Sequence, residues 1–265
     1  VGGSRLTISV DDSSAQYPIV IDPVSTSPNT LLVGTQATME FGIAVATAGD
    51  LNGDGYSDVV VGAWYADLGQ TNEGAAYVYY GSVTGIPTTP SLILQCDQQG
   101  AQMGCAVSTA GDVNGDGYAD LLVGARAWES DPVNEATEGG VFVYYGSATG
   151  INSIPDLTLQ TNHAGDSFGS NVAALGDIDD DGYSDIIVGA YLSEYPSYQE
   201  GTCFIYMGSA VGLNTVPRHH LERNIGAAHF GRSVAGAGDV NGDGYDDVIV
   251  GSPDWTNVIN DDGAA

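Results

Sequence analysis

Short apolar runs alternate along the chain with polar stretches rich in glycine, and the runs differ in character in a fixed order. A run of small residues, as at 43–48, comes first, and a continuous branched run, as at 59–61, follows it. Continuous runs are typical of strands covered on both faces. An aromatic and β-branched run at 77–80 and a short run at 92–94 complete the group. The pattern therefore predicts four short strands and no helix of useful length.

This group of four predicted strands repeats. The branched run with the Gly-Ala or Gly-Ser that ends it recurs at 59–63, 121–125, 186–190 and 248–252. A Phe-Gly or Met-Gly pair precedes it at 41–42, 103–104, 168–169 and 230–231. The aromatic run with a terminal Gly-Ser recurs at 77–82, 142–147 and 204–209. Four strands in each unit, repeated in this way, predict an all-β protein, a β-propeller built from small radial sheets.

The repeat also predicts the domain organisation. We assign 29–265 to the propeller, with approximate units at 41–102, 103–167, 168–229 and, in part, 230–265. Residues 29–33 are predicted to be an outer strand that precedes the first whole unit. The last unit stops where its third strand begins, so we expect the array to be incomplete at the C-terminus. Residues 1–28 lie outside the repeat, and we expect two strands and a linker there, at 6–10, 17–21 and 22–28.

The charge balance excludes some partners. The chain has 34 acidic residues, five arginines and no lysine, for a net charge of −29. Nucleic-acid binding needs clustered cations, so we predict no nucleic-acid partner. No run of 18 apolar residues exists, so we predict no membrane span. Metal binding and a surface suited to high salt could each account for the acidity, and both stay open.

A nine-residue stretch lies between the first and second predicted strands of every unit. We call the copies loops 1 to 4, and they span 50–58, 112–120, 177–185 and 239–247. Side chains that carry oxygen occupy positions 1, 3, 5 and 9 of each loop, glycine occupies position 6 and tyrosine position 7. Fifteen of the 34 acidic residues lie in these loops. Loop 3 alone has five carboxylates, because Asp179 replaces asparagine and Asp180 is added.

The spacing of these oxygens predicts calcium sites. Ca²⁺ takes 6–8 oxygen ligands, and alternate side chains on a tight loop turn inward together. We expect about four structural ions, one in each loop, with the tyrosine contributing its backbone carbonyl. The predicted ligands are Asp50, Asn52, Asp54, Tyr56, Asp58, Asp112, Asn114, Asp116, Tyr118, Asp120, Asp177, Asp179, Asp181, Tyr183, Asp185, Asp239, Asn241, Asp243, Tyr245 and Asp247.

The loops do not match an EF-hand, the best-known calcium loop with similar spacing. An EF-hand needs glutamate at position 12 between helices, but here that position is valine within a predicted strand, at Val61, Val123, Val188 and Val250. A turn rich in Asp and Asn that binds nothing is the remaining alternative, since both residues are common in turns. The recurrence of the same ligand positions in four copies favours calcium.

The combined motif resembles the FG-GAP repeat of integrin α-subunits and of many bacterial secreted proteins. Phe-Gly, Gly-Asp-x-Asn-Gly-Asp-Gly-Tyr-x-Asp, Val-Gly-Ala and Tyr-Val-Tyr-Tyr-Gly-Ser carry the resemblance, which covers about 31–265. It implies a propeller, usually seven-bladed, with Ca²⁺ between the first two strands of a blade. It also implies a secreted or cell-surface protein with a role in adhesion. Two departures are the presence of only about four repeats and Met103 in place of phenylalanine.

We find no catalytic motif and predict no enzymatic activity. The segments between the second and third strands differ most between units, and they are predicted to emerge opposite the calcium hairpins. Their aromatic residues are Trp64, Tyr65, Trp128, Tyr191, Tyr195, Tyr198 and Trp255. These either recognise a protein or glycan ligand or cap the blade edges. Self-assembly, with strands supplied by a neighbouring subunit, and an accessory or catalytic role in a carbohydrate-active enzyme are the alternative functions.

Overall fold

The computed structural model describes residues 30–130, 137–194, 198–255 and 263–265. The chain divides into two compact units, Val1–Leu31 and Leu32–Ala265. The strands and linker expected within 1–28 lie outside the described residues. Every strand of the described residues lies in the second unit, as do the four loops.

The described residues form strands and turns and contain no helix, which confirms the all-β prediction. We call the four sheets blades 1 to 4. Blade 1 contains β1 (Ala44–Gly49), β2 (Asp58–Ala63), β3 (Ala75–Tyr79) and β4 (Leu92–Leu94). Blade 2 contains β5 (Met103–Gly111), β6 (Asp120–Ala125), β7 (Gly140–Tyr144) and β8 (Leu157–Leu159). Blade 3 contains β9 (Asn171–Gly176), β10 (Asp185–Ala190), β11 (Thr202–Tyr206) and β12 (His219–Glu222). Blade 4 contains β13 (Ser233–Gly238) and β14 (Asp247–Gly251).

Within each blade the strands pair in chain order and antiparallel, so each sheet is a simple meander. The register shifts by one residue just before each loop, as between Thr47 and Gly49 in blade 1. The same irregularity precedes loops 2, 3 and 4. Such a bulge increases the local twist. Each loop therefore leaves its sheet in the same direction.

Two partial elements were predicted at the ends of the repeat, an outer strand at 29–33 and the start of a third strand at the C-terminus, and the structure agrees with only the second. Ser252 and Ala264 form an isolated antiparallel bridge that matches the pairing of Ala63 with Ala75 in blade 1, at the place predicted for the start of a third strand. The outer strand predicted at 29–33 is wrong for its described part, because 30–33 have no strand structure. An outer strand is stabilised by pairing with a third strand, and no described third strand lies beside these residues.

Two motif glycines meet where neighbouring blades pack. A Cβ atom on Gly62, from Val-Gly-Ala of blade 1, would overlap the carbonyl oxygen of Gly104, from Met-Gly of blade 2. Gly124 and Gly189 approach the backbone of blades 3 and 4 in the same way, at Gly169 and Gly231. This close approach explains both glycines at the three contacts between neighbouring blades. It also brings the inner strands of adjacent blades together.

We expect Gly124→Ala to destabilise the protein. The added methyl group would overlap the carbonyl oxygen of Gly169, so two blades must separate to admit it. Overpacking of this kind costs about 1–3 kcal/mol. The measurement is the free energy of unfolding from urea titration, with Gly69→Ala as the control. Gly69 is exposed, and a Cβ there would meet only Glu73 Oε1, at 3.9 Å. Equal stability of the two variants would contradict the close packing.

Much of the core lies between blades. One cluster of buried side chains joins Val60 and Leu94 of blade 1 to Leu121 and Tyr144 of blade 2. Another joins Leu122 of blade 2 to blade 3. Cys96, Cys105 and Cys203 are free thiols, and burial raises the pKa of Cys96 and of Cys105 to about 11. These three residues therefore act as small apolar side chains.

Candidate metal centres

The first aspartate of each loop organises the turn around itself. Asp50 Oδ1 accepts hydrogen bonds from the backbone N–H groups of Gly53 (2.7 Å) and Asp54 (3.1 Å), and Oδ2 accepts one from Gly55 (2.8 Å). Loops 2 and 4 repeat these three bonds. In loop 3 Asp177 accepts from positions 5 and 6. The position-1 carboxylate therefore faces the inside of every loop.

The side chains at positions 3 and 5 each accept a hydrogen bond from the backbone N–H two residues later. Asn52 Oδ1 accepts from the backbone N–H of Asp54 (3.0 Å), and Asp54 Oδ1 accepts from that of Tyr56 (2.9 Å). Gly55 has φ = 88°, a left-handed conformation that favours glycine. These bonds are also those of a turn without an ion, so they do not distinguish calcium from an empty turn.

Position 9 ties the loop to the rest of its blade. Asp120 Oδ2 accepts from the N–H of Val113 in the loop (2.9 Å), and Oδ1 accepts from that of Gly146, after the third strand (2.9 Å). The equivalent carboxylates in blades 1 and 3, Asp58 and Asp185, make the same pair of bonds. All three side chains are fully buried. The position-9 aspartate is therefore a structural anchor, whether or not it also binds an ion.

Burial makes the charged form of these carboxylates costly. Burial raises the pKa of Asp120 to about 7, against the opposing effect of the hydrogen bonds from Gly146 and Val113. It raises the pKa of Asp185 to about 6 for the same reason. The ion pairs within the described parts of the chain, His163–Asp166 and His229–Asp254, lie elsewhere. Buried charge is normally paired or bound to metal, and a cation in the loop would supply the missing partner.

Loop 3 has a ligand geometry that could hold a metal. Asp177, Asp179 and Asp185 each offer a carboxylate oxygen, and these oxygens lie within 4.8 Å of one another. Loops 1, 2 and 4 have asparagine at position 3, which offers an amide oxygen instead. Oxygen donors of this kind suit a hard divalent cation. The residues present therefore fit the expected ion, while the role of each tyrosine carbonyl stays a prediction.

Sequence reasoning missed the contacts of each loop with the next blade. The backbone carbonyl of Asp50 accepts a hydrogen bond from Ala119 N–H (3.0 Å), and that of Leu51 accepts one from Ser147 N–H (3.1 Å). Loop 2 makes the same two bonds to Ser184 and Ser209 of blade 3. Small residues at position 8 of loops 1 to 3 were the available signal. Loops 1 and 2 are therefore part of the seam, by which we mean the contact surface between neighbouring blades.

Aromatic side chains and arginines meet at the end of the blades opposite the loops. The guanidinium of Arg126 lies 4.3 Å from the ring centre of Trp64, and that of Arg232 lies 4.5 Å from the ring centre of Tyr191. Each pair joins neighbouring blades. Trp64 Nε1–H also donates to Glu40 Oε2 (2.9 Å). We call Trp64, Arg126, Tyr191 and Arg232 the stacked surface.

The other predicted aromatic residues divide between exposure and packing. Tyr198 is 65% exposed. Trp128 instead packs edge to face on Phe142, with 5.7 Å between the ring centres. Packing at a blade edge thus applies to Trp128, while recognition by the exposed residues stays a prediction. Tyr195 lies outside the described residues.

Comparison with known proteins shows where these blades occur elsewhere. The FG-GAP repeat family matches residues 41–79, 106–144, 168–201 and 230–265, one match for each blade. The chain is 32% identical to integrin alpha-5 of Xenopus laevis and 36% identical to integrin alpha-V of Gallus gallus, in both cases over 80% of this chain. It is 30% identical to integrin alpha-8 of Mus musculus over 94% of this chain.

The match covers only part of those relatives. The chain spans 20% of the length of the first two and 23% of the third. Within the described residues, the structure has no helix long and apolar enough to cross a membrane. The blades and their order therefore have counterparts in integrin alpha subunits, whose remaining length this chain does not represent.

Proposed function

The chain belongs to the FG-GAP repeat family, and from this premise we propose that it is a calcium-stabilised propeller module that recognises a protein or glycan outside the cell. Relatives named as integrin alpha subunits support binding rather than catalysis. The resemblance in the loops supports calcium as the metal. The stacked surface supports a recognition role.

Calcium has a structural role in this proposal. One ion in each of the four loops would offset eight of the 29 net negative charges. In blades 1 to 3 the ion would lie beside a position-9 carboxylate that also accepts a hydrogen bond from the glycine just after the third strand. In blades 1 and 2 the same loop bonds to the next blade. Binding an ion therefore adds to the stability of both the blade and the seam.

The stacked surface is the observation that carries the recognition proposal. The chain has only five cationic side chains, and two of them lie over aromatic rings at this end. Arginine and large aromatic residues are enriched among those that dominate binding energy. Since each of these residues lies next to the end of a strand and is stacked on its partner, little ordering is required when a ligand binds.

We expect Trp64→Ala and Arg126→Ala to reduce ligand binding without loss of calcium. Wild-type protein would first be screened in calcium on a glycan array and on immobilised extracellular-matrix proteins. For a ligand found in this way, each variant should lose at least about tenfold in affinity, the level typical of central contact residues. Thr88→Ala, exposed at the opposite end, is the control and should bind normally. A ligand that binds all three variants equally would contradict the assignment of this surface.

A further inference from the structure

An open pocket of about 420 Å³ lies between the outer parts of blades 2 and 3. Residues just after β8 form one wall, including Thr161. Phe204 and Tyr206 of β11 and His220 of β12 form the other wall, and Ser193 lies at one end. Its volume is that of a small-ligand site. The same place exists in the neighbouring blade, because the blades repeat.

The residue equivalent to Ser193 in blade 2 is Trp128. The N–H of Ser193 donates to the carbonyl of Ala190 (3.1 Å), as Trp128 N–H does to Ala125 (3.1 Å). The carbonyl of Ser193 accepts from Gly201 (3.2 Å), and that of Trp128 accepts from the equivalent glycine (2.9 Å). Phe204 and Phe142 also hold equivalent places, opposite Val188 and Val123. The backbone hydrogen bonds at the two positions are therefore the same, although the segments that follow them differ in length.

In blade 2 the indole of Trp128 fills this site. Its ring packs on Phe142, and it lies so close to Gly140 that a Cβ there would come within 2.9 Å of the indole Cε3. Blade 3 has Ser193 in place of the tryptophan and Thr202 in place of the glycine. The aromatic floor is kept, since Phe204 and Tyr206 match Phe142 and Tyr144. The pocket is therefore a site that the chain itself fills with an indole one blade earlier.

Blade 4, like blade 2, has tryptophan at the position of Ser193. Trp255 N–H donates to the carbonyl of Ser252 (3.3 Å), and the carbonyl of Trp255 accepts from Gly263 (3.1 Å). These are the bonds that Trp128 and Ser193 make. Two of the four blades thus place tryptophan at this position, whereas blade 1 has Ala66, with the same two bonds, and blade 3 has Ser193 above an aromatic floor.

The pocket also offers hydrogen-bond acceptors. Thr161 and Ser193 line it, and the side chains of both hydrogen-bond to Asp166, so their hydroxyl oxygens can still accept from a ligand. Behind them, Asp166 is only 4% exposed, and its Oδ2 atom has no hydrogen-bond partner among the described residues. His163 Nδ1 lies 3.7 Å from that oxygen. A buried carboxylate disfavours an anionic ligand and favours one that donates a hydrogen bond.

We propose that this pocket binds an indole-sized aromatic side chain of a partner polypeptide. The occupant of the equivalent site, Trp128, is itself a side chain on a polypeptide, with an N–H donor on its ring. This contact would be part of the proposed recognition role, on which it rests. It lies along the blade seam and shares no lining residue with the stacked surface or with the calcium loops, so each can be tested with its own variants.

The test fills the pocket with a tryptophan side chain, as Trp128 fills the equivalent site in blade 2. Calcium-loaded wild-type protein would be titrated with N-acetyl-tryptophanamide, and separately with indole, by calorimetry and ligand-observed NMR. We expect both to bind, and Ser193→Trp with Thr202→Gly to weaken both by at least about tenfold. Ser193→Leu fills part of the space without altering β11 and should act in the same direction. Gln70→Trp, which adds a tryptophan on an exposed loop, is the control and should bind as the wild type does.

The outcomes separate the parts of the proposal. Absence of binding by both probes, or equal binding by the wild type and both filled variants, would overturn the pocket assignment. Binding of indole but not of N-acetyl-tryptophanamide would overturn the polypeptide source. Stabilisation by calcium and binding at the stacked surface are measured independently, so failure here leaves the proposed function standing.

Discussion

Removal of calcium is expected to lower the midpoint of thermal unfolding by more than about 10 °C. A ligand present at 100 times its Kd stabilises a protein by about 2.7 kcal/mol for each site. A domain of this size changes its midpoint by about 2–4 °C per kcal/mol. Without the ion, the carboxylates of each loop repel one another, and fully buried groups such as Asp120 have no cationic partner within ion-pair distance among the described residues.

The measurement compares scanning calorimetry in calcium with calorimetry in EDTA. Re-addition of calcium should restore the midpoint, and the same concentration of magnesium should restore less, because Mg²⁺ requires stricter octahedral geometry and retains water. An unchanged midpoint in EDTA would contradict the structural role of calcium. Ionic strength must be held constant, since salt alone screens a chain with a net charge of −29.

Asp120→Ala is expected to be the most destabilising single change in a loop. It leaves the buried N–H groups of Val113 and Gly146 without an acceptor, and each unpaired group costs about 1–3 kcal/mol. Asp116→Ala is the matched comparison, because that carboxylate is exposed and bonds only within its own loop. Both variants remove a predicted calcium ligand from loop 2.

The difference in stability between the two variants should depend on whether calcium is present. In calcium, urea titration should show both to be less stable than the wild type. In EDTA, Asp116→Ala should approach the wild type, whereas Asp120→Ala should stay destabilised through its two unpaired amides. If Asp120→Ala equals the wild type in EDTA, the position-9 aspartate is not the anchor that its hydrogen bonds indicate.

The strands were predictable because each sheet is local in sequence. The branched runs at 59–61 and 121–123 lie in β2 and β6, and 92–94 is β4 as expected. The prediction for 29–33 was wrong because an outer strand depends on a partner strand, which an apolar pattern does not report. The glycine contacts between blades, such as Gly62 with Gly104, could not be predicted because they depend on how two sheets pack.

The loops were predictable only in part. Alternating oxygen side chains identify which residues face inward, and loop 3 brings Asp177, Asp179 and Asp185 together. The anchoring role of Asp58 depends on Gly81, which lies 23 residues away and meets it only in the folded blade. The pocket of blade 3 did leave a trace in the sequence. The position of Ser193 holds tryptophan in blades 2 and 4 and alanine in blade 1, and an alignment of the four units is needed to see this difference.

Calcium stoichiometry tests the central claim most directly. Protein stripped with chelator would be titrated with calcium by calorimetry, and the bound metal would be counted by mass spectrometry. We predict about four ions per chain, and one fewer in Asp116→Ala, because each loop offers its own set of oxygen ligands. A stoichiometry near zero, or one that Asp116→Ala leaves unchanged, would contradict the assignment of the four loops as calcium sites.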